Sequence, residues 1–188
     1  ATTEIYTLPH HDALPISATT VAKHLGAEGD DLVFMENATS AANAVLRSLA
    51  FKPGDEILIT SLGYRAVNHA AAYVASRAGA TLVEAKIPLP VADADAIVAA
   101  VEAKLSPRTR LAIFDHISSQ SAILQPVARL IAAARAAGAE VLIDGAHVPG
   151  QLALDIPALG ADYYVANLHK WQIGRASCRA RVYISVVA

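Results

Sequence analysis

Two kinds of block alternate along this chain. Short runs of aliphatic and β-branched residues are separated by longer, Ala-rich stretches whose apolar positions recur every three or four residues. Thr19–Leu25 reads as the end of an amphipathic helix, and Leu32–Met35 as a short strand. Ser40–Leu49 predicts a helix stopped by Pro53-Gly54, and Glu56–Thr60 a strand. Ala66–Arg77 predicts a helix closed by Gly79, and Thr81–Lys86 a strand before a loop marked by Pro88 and Pro90. Ala92–Leu105 predicts a helix, with Pro107 beyond it, and Arg110–Asp115 a strand. Val127–Ala137 predicts a helix with Pro126 at its first turn and Gly138 at its end, where each residue is favoured. Val141–Asp144 and Tyr163–Ala166 predict the last two strands.

Strand and helix in strict alternation predict an α/β fold, a mainly parallel sheet with helices on both faces. Open sheets of this kind bind ligands beyond the carboxyl ends of their strands. The polar clusters fall there: Asn37–Ser40, Ser61–Asn68, His116–Ser119, Asp144–His147 and Asn167–Lys170. Five clusters, each just after a strand, weigh more than any one of them.

Composition narrows the function classes. Hydrophobic residues make up 54% and charged residues 17%, too apolar for a disordered chain. The apolar runs are too short to span a bilayer, so no membrane helix is expected. Net charge is −2, with no basic excess to hold nucleic acid. One cysteine, Cys178, excludes a disulfide framework. No signal peptide is visible, so a cytoplasmic location is the expectation.

The two ends stand apart. Residues 173–182 read IGRASCRARV, and a common sequencing adapter translates to IGRASCRERV, differing only at Ala180. The opposite strand of that adapter reads YTLSLHDALPI, and residues 6–16 read YTLPHHDALPI. Residues 1–17 and 173–188 are therefore expected to be non-native tails flanking a partial large domain at 18–172. His10, His11, Asp12 and Cys178 accordingly receive no function.

Several chemistries lack their motif. There is no Gly-x-Gly-x-x-Gly, no Walker A loop and no Gly-x-Ser-x-Gly elbow. His116, Asp144, His147 and His169 could be proposed as metal ligands. Lys170 beside His169 would repel a cation, however, and no HExxH spacing occurs, so no metal is expected. What remains is an acid ending a strand, a lysine some two dozen residues later, and small polar residues opening a helix. Pyridoxal phosphate chemistry needs those parts. The lysine amine forms the Schiff base, the carboxylate keeps the pyridine nitrogen protonated, and a helix N-terminus takes the phosphate. An aromatic ring such as Tyr64 can stack on the cofactor.

Asp144-Gly-Ala-His147 followed by Asn167-Leu-His-Lys170-Trp171 resembles the class V aminotransferases, among the fold-type I pyridoxal phosphate enzymes. The isopenicillin N epimerase-like branch is the nearest in pattern, and cysteine desulfurases are cousins. The resemblance runs from about Ala18 to Trp171. It implies that Lys170 carries the cofactor, Asp144 pairs with the pyridinium nitrogen and His147 lies near the ring oxygen or the Schiff base. It implies that Tyr64 stacks where desulfurases place a His, and that Ala38, Thr39 and Ser40 cradle the phosphate with Asn167 and His169. Ser119, rather than Ser118, falls near the ring's phenolic oxygen. His116 is evenly balanced between structure and function, Asn68 is assigned nothing, and Trp171 reads as packing. The implied activity is epimerisation of an amino acid through an external aldimine, in a parent that is a homodimer. Cysteine desulfurase, lyase or aminotransferase chemistry is the alternative, with a non-catalytic α/β module as the contrasting class. The family's substrate-carboxylate arginine lies toward the C-terminus, where only Arg175, Arg179 and Arg181 follow.

Overall fold

The computed structural model describes residues 13–171 and 183–187, with side chains over 18–171. His10, His11, Asp12, Arg175, Cys178, Arg179 and Arg181 lie outside the described residues. In chain order the elements are α1 (Ala13–Leu25), a 3-10 turn (Gly29–Asp31), β1 (Leu32–Phe34), α2 (Ala38–Ser48), β2 (Glu56–Thr60), α3 (Arg65–Ala78) and β3 (Thr81–Ala85). There follow α4 (Ala94–Glu102), β4 (Thr109–Asp115), α5 (Val127–Ala136), β5 (Glu140–Gly145), α6 (Ile156–Leu159), β6 (Tyr163–Asn167) and β7 (Tyr183–Val187). One sheet takes the order β1-β7-β6-β5-β4-β2-β3. Strands β2 to β6 are mutually parallel, and β7 runs antiparallel to both β6 and β1.

Alternation along the strands explains why both faces are covered. Leu58, Ala112, Phe114, Val141, Ile143, Tyr164 and Ala166 pack on one side, against residues of α1, α4, α5 and α6. Their neighbours Ile57, Ile59, Leu111, Ile113, Leu142 and Val165 pack on the other, against α2 and α3. A strand buried on both faces reads as an unbroken apolar run, which is the pattern of EILIT and VLI. Helix α2 buries Ala38, Ala41, Ala42, Val45 and Leu46, one stripe at helical spacing. Its alanines let the helix lie close to the sheet.

The predicted elements are present, with small shifts at their ends. Helix α4 is shorter than Ala92–Leu105 because Asp93 caps it, its carboxylate accepting from the Ala96 N–H at 2.8 Å. The short α6 was not predicted: four residues are too few to show a period. Its signals were local instead, an Asp155 cap accepting from the Ala158 N–H at 3.1 Å and Gly160 in the left-handed conformation. Strand β7 was likewise not predicted. Its β-rich run, Tyr-Ile-Ser-Val-Val, pairs with the exposed backbone of β6 and so joins β1 to the sheet.

The two ends of the sheet differ in how their polar groups are satisfied. At the amino end, partners close on one another. Glu56 accepts from Arg108 at 2.5 Å and from the Ser106 hydroxyl at 2.6 Å. Glu140 pairs with Arg110 at 2.8 Å and accepts from the Tyr163 hydroxyl at 3.0 Å. At the carboxyl end, Asp115 and Asp144 stand paired in register on β4 and β5, and among the described residues neither forms an ion pair with an arginine.

Gly145 follows Asp144 for a steric reason. A Cβ there would lie 2.2 Å from the Tyr164 hydroxyl oxygen. Tyr164 is fully buried and its hydroxyl bonds His116 Nδ1 at 3.1 Å, so it has little room to move. Gly145→Ala is expected to destabilise the chain by about 1–3 kcal/mol through overpacking, read as a lower urea midpoint. An unchanged midpoint would show that Tyr164 can yield.

Candidate active site

The loops after β1, β2, β4, β5 and β6 enclose a cavity of about 510 Å³. Every site residue singled out in the sequence lines it: Ala38, Thr39 and Ser40 from α2, Tyr64 at the start of α3, Ser119, Asp144, His147, Asn167, His169 and Lys170. Residues 132 positions apart thus meet because five strands end on one edge.

The opening turn of α2 is tied down on two sides. Asn37 caps it, its side chain accepting from the Ser40 N–H at 2.8 Å. Asn167, at the end of β6, accepts from the Ala38 N–H at 2.9 Å in a buried bond. These two bonds leave the Thr39 amide as the one of the first three that neither asparagine engages. An anion at this helix start would therefore meet fewer donors than at a bare helix end: the Thr39 amide and the hydroxyls of Thr39 and Ser40.

At the far wall Asp144 is buried, and one carboxylate oxygen accepts from the Ala146 N–H at 3.0 Å. Its other oxygen takes no hydrogen bond from a described residue. Burial pushes its pKa up, while the Ala146 N–H and the Lys170 charge hold it down. A cation placed at that oxygen would relieve the carboxylate.

Asp115 was missed in the sequence, although it ends β4 as Asp144 ends β5, and the same reasoning would have found it. It lines the cavity and accepts from the Tyr64 N–H at 3.2 Å. Burial first, and then the negative charge of Asp144, push its pKa up to about 8. Two carboxyl groups this close retain a proton more readily than either would alone.

On the open side, Lys170 Nζ lies 2.9 Å from His147 Nε2. Desolvation lowers the Lys170 pKa from the ordinary lysine range, while Asp144 and Asp115 pull it back up. His147 is half-buried, and desolvation and the Lys170 charge lower its pKa. Trp171 is 48% exposed, and its indole N–H donates to His147 Nδ1 at 3.4 Å.

Three neighbours resolve as structural. His116 is absent from the cavity lining; burial lowers its pKa to about 4, and its neutral ring bonds Tyr164. Ser118 turns into its own loop, bonding Ser121 and accepting from the Ile123 N–H at 2.9 Å, which leaves Ser119 at the cavity. Asn68 donates to the Thr60 carbonyl at 3.3 Å. Among the described residues, no three His, Cys, Asp or Glu side chains gather as a metal site. None of the described helices is long and apolar enough to cross a membrane.

The Asp115 geometry carries a pH signature. Between about pH 4 and pH 8 the unfolded chain has released this proton and the folded chain keeps it, so stability falls as pH rises. Asp115→Asn keeps an acceptor for the Tyr64 N–H and has no proton to lose. It is expected to flatten the slope by up to about 1.4 kcal/mol per pH unit, so that the variant gains on wild type from pH 5 to pH 8. Urea midpoints across that range test it, and parallel slopes would refute it.

Known proteins resemble this chain. The aminotransferase class-V family matches residues 11–175. An isopenicillin N epimerase of Amycolatopsis lactamdurans is 36% identical over 154 residues, 80% of this chain and 39% of its own length. An L-cysteine desulfhydrase of Arabidopsis thaliana is 34% identical over 170 residues, 82% of this chain and 37% of its own. The cystine C–S lyase C-DES, solved with its product cysteine persulfide, superposes with a TM-score of 0.81 at 27% identity, covering 94% of this chain and 46% of that one. A variant of C-DES holds glycine covalently linked to its PLP cofactor. The chain spans less than two fifths of the length of these two curated relatives. With a buried acid whose free oxygen calls for a cation, an anion seat at a helix start and a lysine between them, the donor set fits pyridoxal phosphate. On that match and that donor set, the chain belongs to the class V aminotransferase family of pyridoxal phosphate enzymes.

Proposed function

We propose that residues 18–172 form the cofactor-binding part of an enzyme that removes the α-proton of an amino acid. The observation that supports it most is that Lys170, Asp144, Thr39 and Ser40 line one cavity. Pyridoxal phosphate, when bound, supplies the electron sink for the carbanion. Lys170 would hold the cofactor, and its amine would move the proton at the substrate α-carbon. Asp144 binds the pyridinium nitrogen with its free oxygen. Thr39 and Ser40 hold the phosphate, with Ala38 and Asn167 fixing the helix start and His169 beside it. Tyr64 covers one face of the ring, and Ser119 and His147 lie toward its phenolic oxygen.

Epimerisation is our first reading of the outcome, on the Asn167–Trp171 motif and on Tyr64 in place of a stacking His. The desulfhydrase and C-DES similarities favour a second, β-elimination from a sulfur amino acid. Both share the proton abstraction assigned to Lys170. The full-length protein is read as a homodimer.

Incubating the chain with pyridoxal phosphate, reducing with borohydride and mapping peptides by mass spectrometry tests the site. Labelling is expected to concentrate on Lys170 over Lys23, Lys52, Lys86 and Lys104, and to disappear there in Lys170→Arg. Even labelling of all five on a chain folded by circular dichroism would overturn the reading.

A further inference from the structure

Around His147 the donors and acceptors do not balance unless Lys170 is uncharged. The Trp171 indole nitrogen is a donor only. It points at His147 Nδ1 at 3.4 Å, so Nδ1 must present a lone pair. A neutral imidazole carries one N–H, which then sits on Nε2. Nε2 in turn lies 2.9 Å from Lys170 Nζ. An ammonium at Lys170 would set its own N–H against that of Nε2, with no acceptor between them. A neutral amine has the lone pair that completes the chain.

We propose that Trp171 is a positioning residue that fixes His147 as the Nε2–H tautomer and thereby holds Lys170 as a neutral amine. The geometry gives Trp171 a function that its place beside the lysine does not by itself suggest. Its indole ring is tilted 52° to the imidazole with centroids 6.1 Å apart, so the pair is not a stack, and the N–H is what connects them. Other groups act on the same amine. Asp144 at the end of β5 and Asp115 at the end of β4 favour its charged form. His169 precedes it in the chain, and Tyr64 of α3 lines the same cavity. The relay opposes the two carboxyl groups, and its outcome is an amine able to attack a carbonyl without first shedding a proton. That use rests on the assignment of Lys170 as the cofactor lysine; the tautomer itself does not.

Both halves can be read on the cofactor-free chain. Nitrogen-15 histidine spectra, with His147 assigned through His147→Gln, should show the proton on Nε2 in wild type. Trp171→Phe keeps the ring and removes the donor, and Trp171 is exposed enough for this to leave the fold intact. In that variant Nδ1 can take the proton, Nε2 can accept, and an ammonium at Lys170 becomes compatible. The Lys170 apparent pKa, from competitive acetic anhydride labelling, should rise by about one unit, a roughly tenfold loss of amine reactivity at pH 8. Lys23 and Lys52 labelling should not move. An Nδ1–H tautomer in wild type would overturn the proposal, as would identical Lys170 titrations in the two proteins. Failure of the borohydride experiment with an Nε2–H His147 would remove the cofactor assignment and leave the relay standing.

Discussion

Parallel pairing of strands covered on both faces governs everything else in this molecule. Once β2 to β6 bury their side chains above and below, an unpartnered polar group along their length is costly. Polar chemistry is displaced to the strand ends. The parallel arrangement then sends all carboxyl ends to one edge, so residues remote in sequence become neighbours. At the opposite edge Glu56 and Glu140 are neutralised by arginines and hydroxyls. At the cavity edge Asp115 and Asp144 stand side by side, each accepting from a backbone N–H and each under the influence of the exposed Lys170. The same register that builds the core thus sets two buried carboxyl groups side by side, where a proton is retained.

Much of this was legible in the sequence because it is carried by period and by position. Unbroken apolar runs gave the central strands, three-to-four spacing gave the helices, and the polar residues just past each strand gave the cavity lining. What failed to show was of two kinds. Elements below the length of one period, such as α6, leave only cap residues as a trace. Edge pairing such as that of β7 depends on what backbone is left open, which no local pattern records. Within the site, Asp115 was passed over because it closed a strand whose following residues seemed more chemical. Which amides of α2 are already engaged could not be read either, since the Asn167 bond joins residues 129 apart.

The relation to known enzymes gives these observations their meaning, and it is specific at the level of the family. Similarity to an epimerase, to a desulfhydrase and to a C–S lyase covers the same stretch of chain.

The buried bond from the Ala38 amide to Asn167 has a consequence for how this site is measured out. It joins the start of α2 to the end of β6, three residues before Lys170. The span between anion seat and lysine is therefore gauged by a single 2.9 Å contact and one short turn of backbone. The whole intervening chain drops out of that distance. Loops on the far side of the sheet can lengthen, shorten or change sequence over generations without altering the gauge. One amide oxygen thus ties the start of α2 to the strand end that leads into Lys170.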